Sequence, residues 1–202
     1  MSETRNAIPI ILSVIAALMN GVGYVLYNIR ATKGNSVPNP ASWIIWTVMA
    51  LIDTFWMADA TGNWVTAAQF AIGTVGCIAT FSFLVGKGKM RKPKPIEWVI
   101  VSLEIPMVVT WLVLGHTQTA GWILLLIYLV SFCPMVREIR TDPNRESAGP
   151  WAIWTAAYVL LTVNLLLYGK SPSAIALAVL LMLGHGLVGF LSRDGRREKR
   201  IL

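Results

Sequence analysis

The sequence predicts an all-α integral membrane protein. Its seven transmembrane helices divide as three, one, three: two parallel three-helix-bundle repeats joined by a linker helix, with the N-terminus outside and the C-terminus inside. Three observations lead there. Hydrophobic residues make up 55% of the 202-residue chain and charged residues 13%, with a mean hydropathy of +0.62, whereas a soluble domain carries about a quarter charged residues. Seven apolar stretches approach the length of about 20 residues that a helix needs to cross a hydrocarbon layer of roughly 30 Å. Finally, the pentapeptide WIIWT at Trp43 to Thr47 returns as WAIWT at Trp151 to Thr155, a shift of 108 residues.

The spans are read in order as residues 7–29, 41–60, 64–85, 95–115, 120–136, 150–169 and 173–192. The first follows Arg5 and has the outline of a cleaved leader, but the repeat requires it, so it counts as helix one. Residues 1–86 form the first repeat. Residues 87–117 supply a basic loop and the linker, helix four, and residues 118–202 the second repeat with a basic tail. Cys77 and Cys133 fall inside spans without metal-ligand spacing and read as small apolar packing residues. No metal or cofactor is expected.

The formal charge of +7 is placed asymmetrically. Of the 17 Lys and Arg, all but Arg5 and Lys170 fall in the first, third and fifth connections or the tail, and so on one side of the membrane. Positive residues in short loops remain cytoplasmic, which sets the N-out, C-in orientation. These residues are expected to orient the chain and touch anionic lipid headgroups. Charge without any further motif argues against nucleic acid. The compact chain suits a bacterial inner membrane, and a homo-oligomer is compatible with the sequence.

Sliding the chain by the same 108 residues also brings Tyr24 onto Phe132, Thr54 onto Thr162 and Gly76 onto Gly184. A three-helix unit ends on the side opposite its start, so a linker helix restores the direction of the second copy. Each copy reads as a helix end, a short basic polar loop, then a small residue or proline before Trp-x-x-Trp: YVLYNIRATKGNSVPNPASWIIWT and SFCPMVREIRTDPNRESAGPWAIWT. This resembles the PQ-loop superfamily, with its SWEET-like (MtN3) transporters, across essentially all seven helices. The Pro-Gln pair itself is degraded: Pro134 precedes Met135 in the second copy, and Leu26 and Tyr27 stand there in the first. The resemblance implies that Pro134 is a hinge, and its missing N–H predicts a kink. It also implies paired asparagines on helices three and seven, where this chain has Cys77 and His185.

An ionisable group at mid-membrane is a functional candidate by default, because its burial costs several kcal/mol unless it is paired or hydrated. Asp53 lies 12 residues into helix two, roughly 18 Å deep at 1.5 Å per residue. It shares a helix face with Trp46 and Trp56, and the repeat adds Trp154 and Asn164 from the second copy. These five residues are expected around one central cavity that stacks a small solute between indoles. For Trp46 and Trp154, plain helix packing is the equal alternative. Trp43 and Trp151, nearer the helix starts, read as interfacial anchors. His185, in LGHGL, joins the substrate-binding set and, with Asp53, forms a candidate proton-coupling pair, or else it is a hydrogen-bonded packing residue. Asn20 either contributes to the cavity or bonds a backbone carbonyl across a close helix contact. Asp59 and Gln69 fit a hydrated entrance or a wetted helix end, Tyr24 and Tyr128 are further lining groups, and Glu104 faces another subunit or snorkels. No catalytic motif is present, so the chain is not expected to be an enzyme. The function these residues predict is a carrier moving a small polar solute, whether sugar, amino acid or vitamin-like nucleoside, by alternating access with proton coupling as an option. The rival is a non-transporting receptor or interaction protein of the same fold.

Overall fold

The computed structural model describes residues 2–87, 95–168 and 171–192. The basic tail, Lys170 and most of the third connection (Lys89, Arg91, Lys92 and Lys94) lie outside the described residues. Among the described residues the regular elements are all helical: α1 (Ser2–Thr32), α2 (Pro40–Thr61), α3 (Trp64–Gly86), α4 (Pro95–Ser102), α5 (Glu104–Val108), a π-helical turn (Val109–Val113), α6 (Thr117–Thr141), α7 (Ala148–Tyr168) and α8 (Pro172–Leu191). The boundaries follow local chemistry. Gly62 takes φ of 65° after α2, a left-handed turn that a side chain would resist. Asn63 then caps α3 by accepting a hydrogen bond from the Val65 amide, and Ser171 does the same for α8 through Ala174, each satisfying an amide that the first helical turn leaves without a partner.

Six of these helices are long and apolar enough to cross a membrane. The fourth expected span differs from the single helix of residues 95–115. It breaks at Leu103 into α4 and α5 and then widens into the π-helical turn, which leaves a shorter apolar helix at Glu104–Val113. Pro106 supplies the reason, because it has no N–H to donate back to Ser102 one turn earlier. By contrast, α6 runs helically through Pro134. The outward faces of the long helices are apolar as well: Leu18 and Val25 are each 62% exposed and Phe190 is 85% exposed. Asp53, in contrast, is wholly buried. A molecule apolar outside and polar at selected points inside is matched to hydrocarbon as its solvent.

The packing order is the same in both halves. Helix α3 packs against both α1 and α2, and α8 against both α6 and α7; between the halves, α1 meets α7 and α2 meets α6. Equivalent contacts recur at the 108-residue shift. Thr47 donates to the Trp43 carbonyl and Thr155 to that of Trp151. A side chain at Gly76 would collide with the Tyr24 ring, and one at Gly184 with the Phe132 ring, so an aromatic ring of α1 sits on a glycine of α3, and one of α6 on a glycine of α8. Gly76→Ala is therefore expected to cost roughly 1–3 kcal/mol through overpacking. In a Tyr24→Ala background the same change is expected to cost much less, because contacting residues are not additive. Melting curves of the four proteins in detergent check this, and an equal loss in both backgrounds would show that the ring is not the cause.

Candidate functional site

The two halves meet around a cavity of about 30 Å³, lined by Tyr24, Trp43, Trp46, Ala50, Phe70, Gly73, Cys77, Tyr128, Phe132, Trp151, Trp154, Tyr158, Leu181 and His185. Twelve of these fourteen form six pairs at the 108-residue shift: Tyr24 with Phe132, Trp43 with Trp151, Trp46 with Trp154, Ala50 with Tyr158, Gly73 with Leu181, and Cys77 with His185. The cavity is therefore lined mostly by residues that stand 108 positions apart in the sequence. Its volume suits roughly two water molecules, so the rings are closed upon one another. Trp43 and Trp46 lie 5.7 Å apart between centroids, Trp151 and Trp154 5.1 Å, and Tyr24 and Trp154 5.0 Å.

Each indole N–H in this wall is bonded across a helix boundary. Trp46 Nε1 donates to Ser131 Oγ at 3.0 Å, and Ser131 passes the bond to the Tyr128 carbonyl. Trp154 Nε1 donates to the Asn20 carbonyl at 3.2 Å, and Asn20 is the residue equivalent to Tyr128 by the shift. Trp43 Nε1 donates to Tyr27 Oη at 3.2 Å, Tyr27 donates to Glu146 Oε1 at 3.0 Å, and Trp151 Nε1 reaches Glu146 Oε2 at 3.4 Å. Trp43 and Trp151 are thus fully enclosed, not the interfacial anchors expected from their places near the helix starts. The first and fifth connections fold over that end of the helices. The Val37 amide donates to the Arg145 carbonyl at 2.8 Å and the Ser147 amide to Ser36 Oγ at 3.2 Å. Glu146 is the acid at the centre of this closure.

The predicted site residues separate into two groups. Trp46, Trp154 and His185 line the cavity, His185 with its ring 4.8 Å from Tyr158 and 5.4 Å from Phe132. Its Nδ1 lies 2.7 Å from the Leu181 carbonyl; a carbonyl can only accept, so Nδ1 carries the hydrogen of this contact. Asp53 stands one layer behind the wall and accepts a hydrogen bond from the lining residue Tyr128. It is thus bonded to a tyrosine, not to His185. Trp56 is turned away from the cavity, with Nε1 donating to the Thr117 carbonyl at 3.1 Å and its ring against Gly121. Asn164 bonds Ser13 Oγ at 2.8 Å and the Pro9 carbonyl at 3.3 Å, tying α7 to α1. Asn20 donates to the Gln69 carbonyl at 2.7 Å, the cross-helix backbone bond that was its alternative role. Gln69 is buried, not wetted. Asp59 accepts from Trp111 Nε1 at 2.9 Å and Thr117 Oγ1 at 2.7 Å, which fastens the end of the fourth segment to α2 and α6.

Among the contributors not singled out from the sequence are Phe132, Tyr158, Ser131 and Glu146. Phe132 and Tyr158 are the shift partners of Tyr24 and Ala50, so the repeat itself was the signal. Ser131 and Glu146 carry none beyond being a hydroxyl and a lone acid close to apolar runs. Among the described residues no group of three or more His, Cys, Asp and Glu is placed to hold a metal. Comparison with protein-family models, with curated proteins and with solved structures finds no match to this chain.

Glu146 gives the closure a definite pH dependence. Burial pushes its carboxyl up to about 7, against the hydrogen bonds from Tyr27, Trp151 and Ser36 and the nearby Arg145 guanidinium, which pull it down. A carboxyl raised in the fold is protonated there while the unfolded chain has already lost its proton. Its contribution to stability is full below the ordinary glutamate range and is lost as pH rises through about 7. The whole loss is roughly 3 kcal/mol. The melting temperature is expected to fall from pH 5 to pH 8 in the parent protein, as stability drops by most of that free energy, and to stay nearly flat in Glu146→Gln. Parallel slopes for the two proteins would remove Glu146 as the cause.

Proposed function

We propose that this chain is a transmembrane carrier that moves a small polar solute by alternating access, with the two three-helix bundles rocking about the aromatic cavity. A single observation carries this reading: six shift-related pairs line a cavity at the boundary between the halves. A site shared by two copies opens to one side or the other when the copies tilt. The parallel arrangement of the copies, the N-out, C-in orientation and the resemblance to the PQ-loop superfamily belong to the same proposal. So does a bacterial inner membrane as its location. The recurrent packing order of α1 to α3 and α6 to α8 supports the repeat.

The enclosed geometry fits an occluded state. A sugar, amino acid or nucleoside needs several times the present 30 Å³, so its entry requires the rings of one half to withdraw from those of the other. Ten of the lining residues are aromatic or imidazole, a wall suited to planar or ring-faced solutes through stacking. A receptor of the same architecture would bind such a solute without passing it on.

The test is binding and exchange in one preparation. A panel of labelled sugars, amino acids and nucleosides is screened by melting temperature, since a ligand of the folded state stabilises it; the hits are then assayed for exchange across liposomes. One class is expected to do both. Trp46→Ala and Trp154→Ala are each expected to weaken its binding roughly tenfold, about 1.4 kcal/mol. Binding without exchange would replace the carrier with the receptor.

A further inference from the structure

At the end of the helices opposite the Glu146 closure, a groove of about 1040 Å³ lies between α2 and the broken fourth segment. Its lining changes character along its length. The deeper part is apolar, with Leu51 and Phe55 of α2 on one side and Val108 and Leu112 on the other. Leu51, Phe55 and Leu112 are each at least half exposed. At the mouth stand Asp59, Trp64, Trp111 and Thr117. Eight residues separate Leu51 from Asp59, roughly 12 Å along the helix at 1.5 Å per residue. Because α2 is long and apolar enough to cross a membrane, its open flank meets hydrocarbon, and the mouth of the groove falls near the headgroup layer.

Asp59 gives this mouth its chemistry. Oδ2 accepts both hydrogen bonds, from Trp111 Nε1 at 2.9 Å and from Thr117 Oγ1 at 2.7 Å. Oδ1 receives none from the described residues and is not sealed from the surroundings. The ion pair formed among the described residues joins Arg145 to Glu138 at 3.1 Å, at the far end of the helices, so no lysine or arginine among them balances Asp59. A carboxylate at the edge of a low-dielectric layer attracts a positive headgroup and repels a negative one. Aromatic rings border it. Trp111 is bonded to the acid itself, and Phe55 and Trp64 stand edge to face, 6.0 Å apart at 88°. Trp64 is 64% exposed, and an open aromatic face favours an ammonium group. Interfacial tryptophans anchor helices without help from any acid, so the open oxygen of Asp59 is the feature that anchoring leaves unexplained.

We propose that this groove is a lipid site selective for a phospholipid with a primary ammonium headgroup, such as phosphatidylethanolamine. One acyl chain lies along Leu51, Phe55 and Leu112, and the ammonium donates a hydrogen bond to Asp59 Oδ1 beside the rings of Trp64 and Trp111. A primary ammonium fits where a quaternary one does not, because only an N–H fills the open oxygen of a carboxylate. An anionic headgroup without an amine is repelled by the same charge. The other oxygen of Asp59 fastens the fourth segment to α2 and α6, so the bound lipid braces the segment that the break at Leu103 leaves short of a full span. The site is independent of the carrier reading: it needs α2 and the fourth segment to face lipid, and nothing of what the cavity does.

The test is native mass spectrometry of the full chain, delipidated in detergent and titrated with phosphatidylethanolamine, phosphatidylcholine and phosphatidylglycerol of identical acyl chains. The parent protein is expected to bind the ethanolamine lipid roughly threefold more tightly than either of the others, the scale of one partly exposed ion pair. Asp59→Asn keeps an acceptor for Trp111 and Thr117 but removes the charge, and the preference is expected to vanish in it. A choline lipid bound as tightly as the ethanolamine lipid, or a preference that survives in Asp59→Asn, would overturn the headgroup assignment. Leu112→Trp changes a residue that is 65% exposed and puts bulk into the groove, so this variant is expected to lose the preferred lipid with Asp59 intact. Its retention there would place the lipid elsewhere on the protein and overturn the site, whether or not Asp59→Asn folds. Free ethanolamine in excess is expected to leave the lipid bound; displacement by it would make the occupant a soluble amine and overturn the lipid.

Discussion

A buried indole N–H can only donate, and inside a membrane no water is at hand to receive it. The described structure answers this demand repeatedly, and nearly always with an acceptor from a different helix or segment: Trp43 on Tyr27, Trp46 on Ser131, Trp56 on Thr117, Trp111 on Asp59, Trp151 on Glu146 and Trp154 on Asn20. Apolar side chains attract one another no more than they attract lipid tails. Helix association therefore depends on close packing and on bonds of this kind. The tryptophans are at once the bulk that fills the centre and the ties that fix which helix stands beside which.

The paired Trp-x-x-Trp segments then acquire a structural meaning. In each copy the first tryptophan turns toward the Glu146 closure and the second toward a backbone carbonyl of the opposite half, directly for Trp154 and through Ser131 for Trp46. Three residues make most of a helical turn, so the two rings of a copy stack up one side of α2 or α7 and form a continuous wall. The result is a centre built from both halves in which the indole hydrogens of all four tryptophans are bonded.

The helical, membrane-crossing character was legible in the sequence because span length and apolarity are composed locally. The 108-residue shift that aligns Trp46 with Trp154 and Gly76 with Gly184 was legible as well, and it relates most of the residues that line the cavity. Placing side chains around the helices was harder. Trp56 shares a helix face with Asp53 by periodicity, yet it lies beyond the cavity, because depth along α2 matters as much as angle. The break in the fourth span was announced by Pro106, but a proline alone does not reveal that the helix will part at Leu103 and widen after Val108. Glu146 was obscured by its setting: in RTDPNRES it looks like one more loop charge, and only the folding of two distant connections over it takes it out of water.

That closure is also where the halves stop matching. The position equivalent to Glu146 in the first copy is Pro38, which can neither accept an indole hydrogen through its side chain nor carry a charge. One acid thus serves Trp151 directly and Trp43 through Tyr27 at one end of the molecule. A duplicated protein with interchangeable halves would treat its two faces alike. Here a single lopsided clasp sets the two ends of the molecule apart, and the protonation of one carboxyl bears on how firmly the end that carries it is held shut.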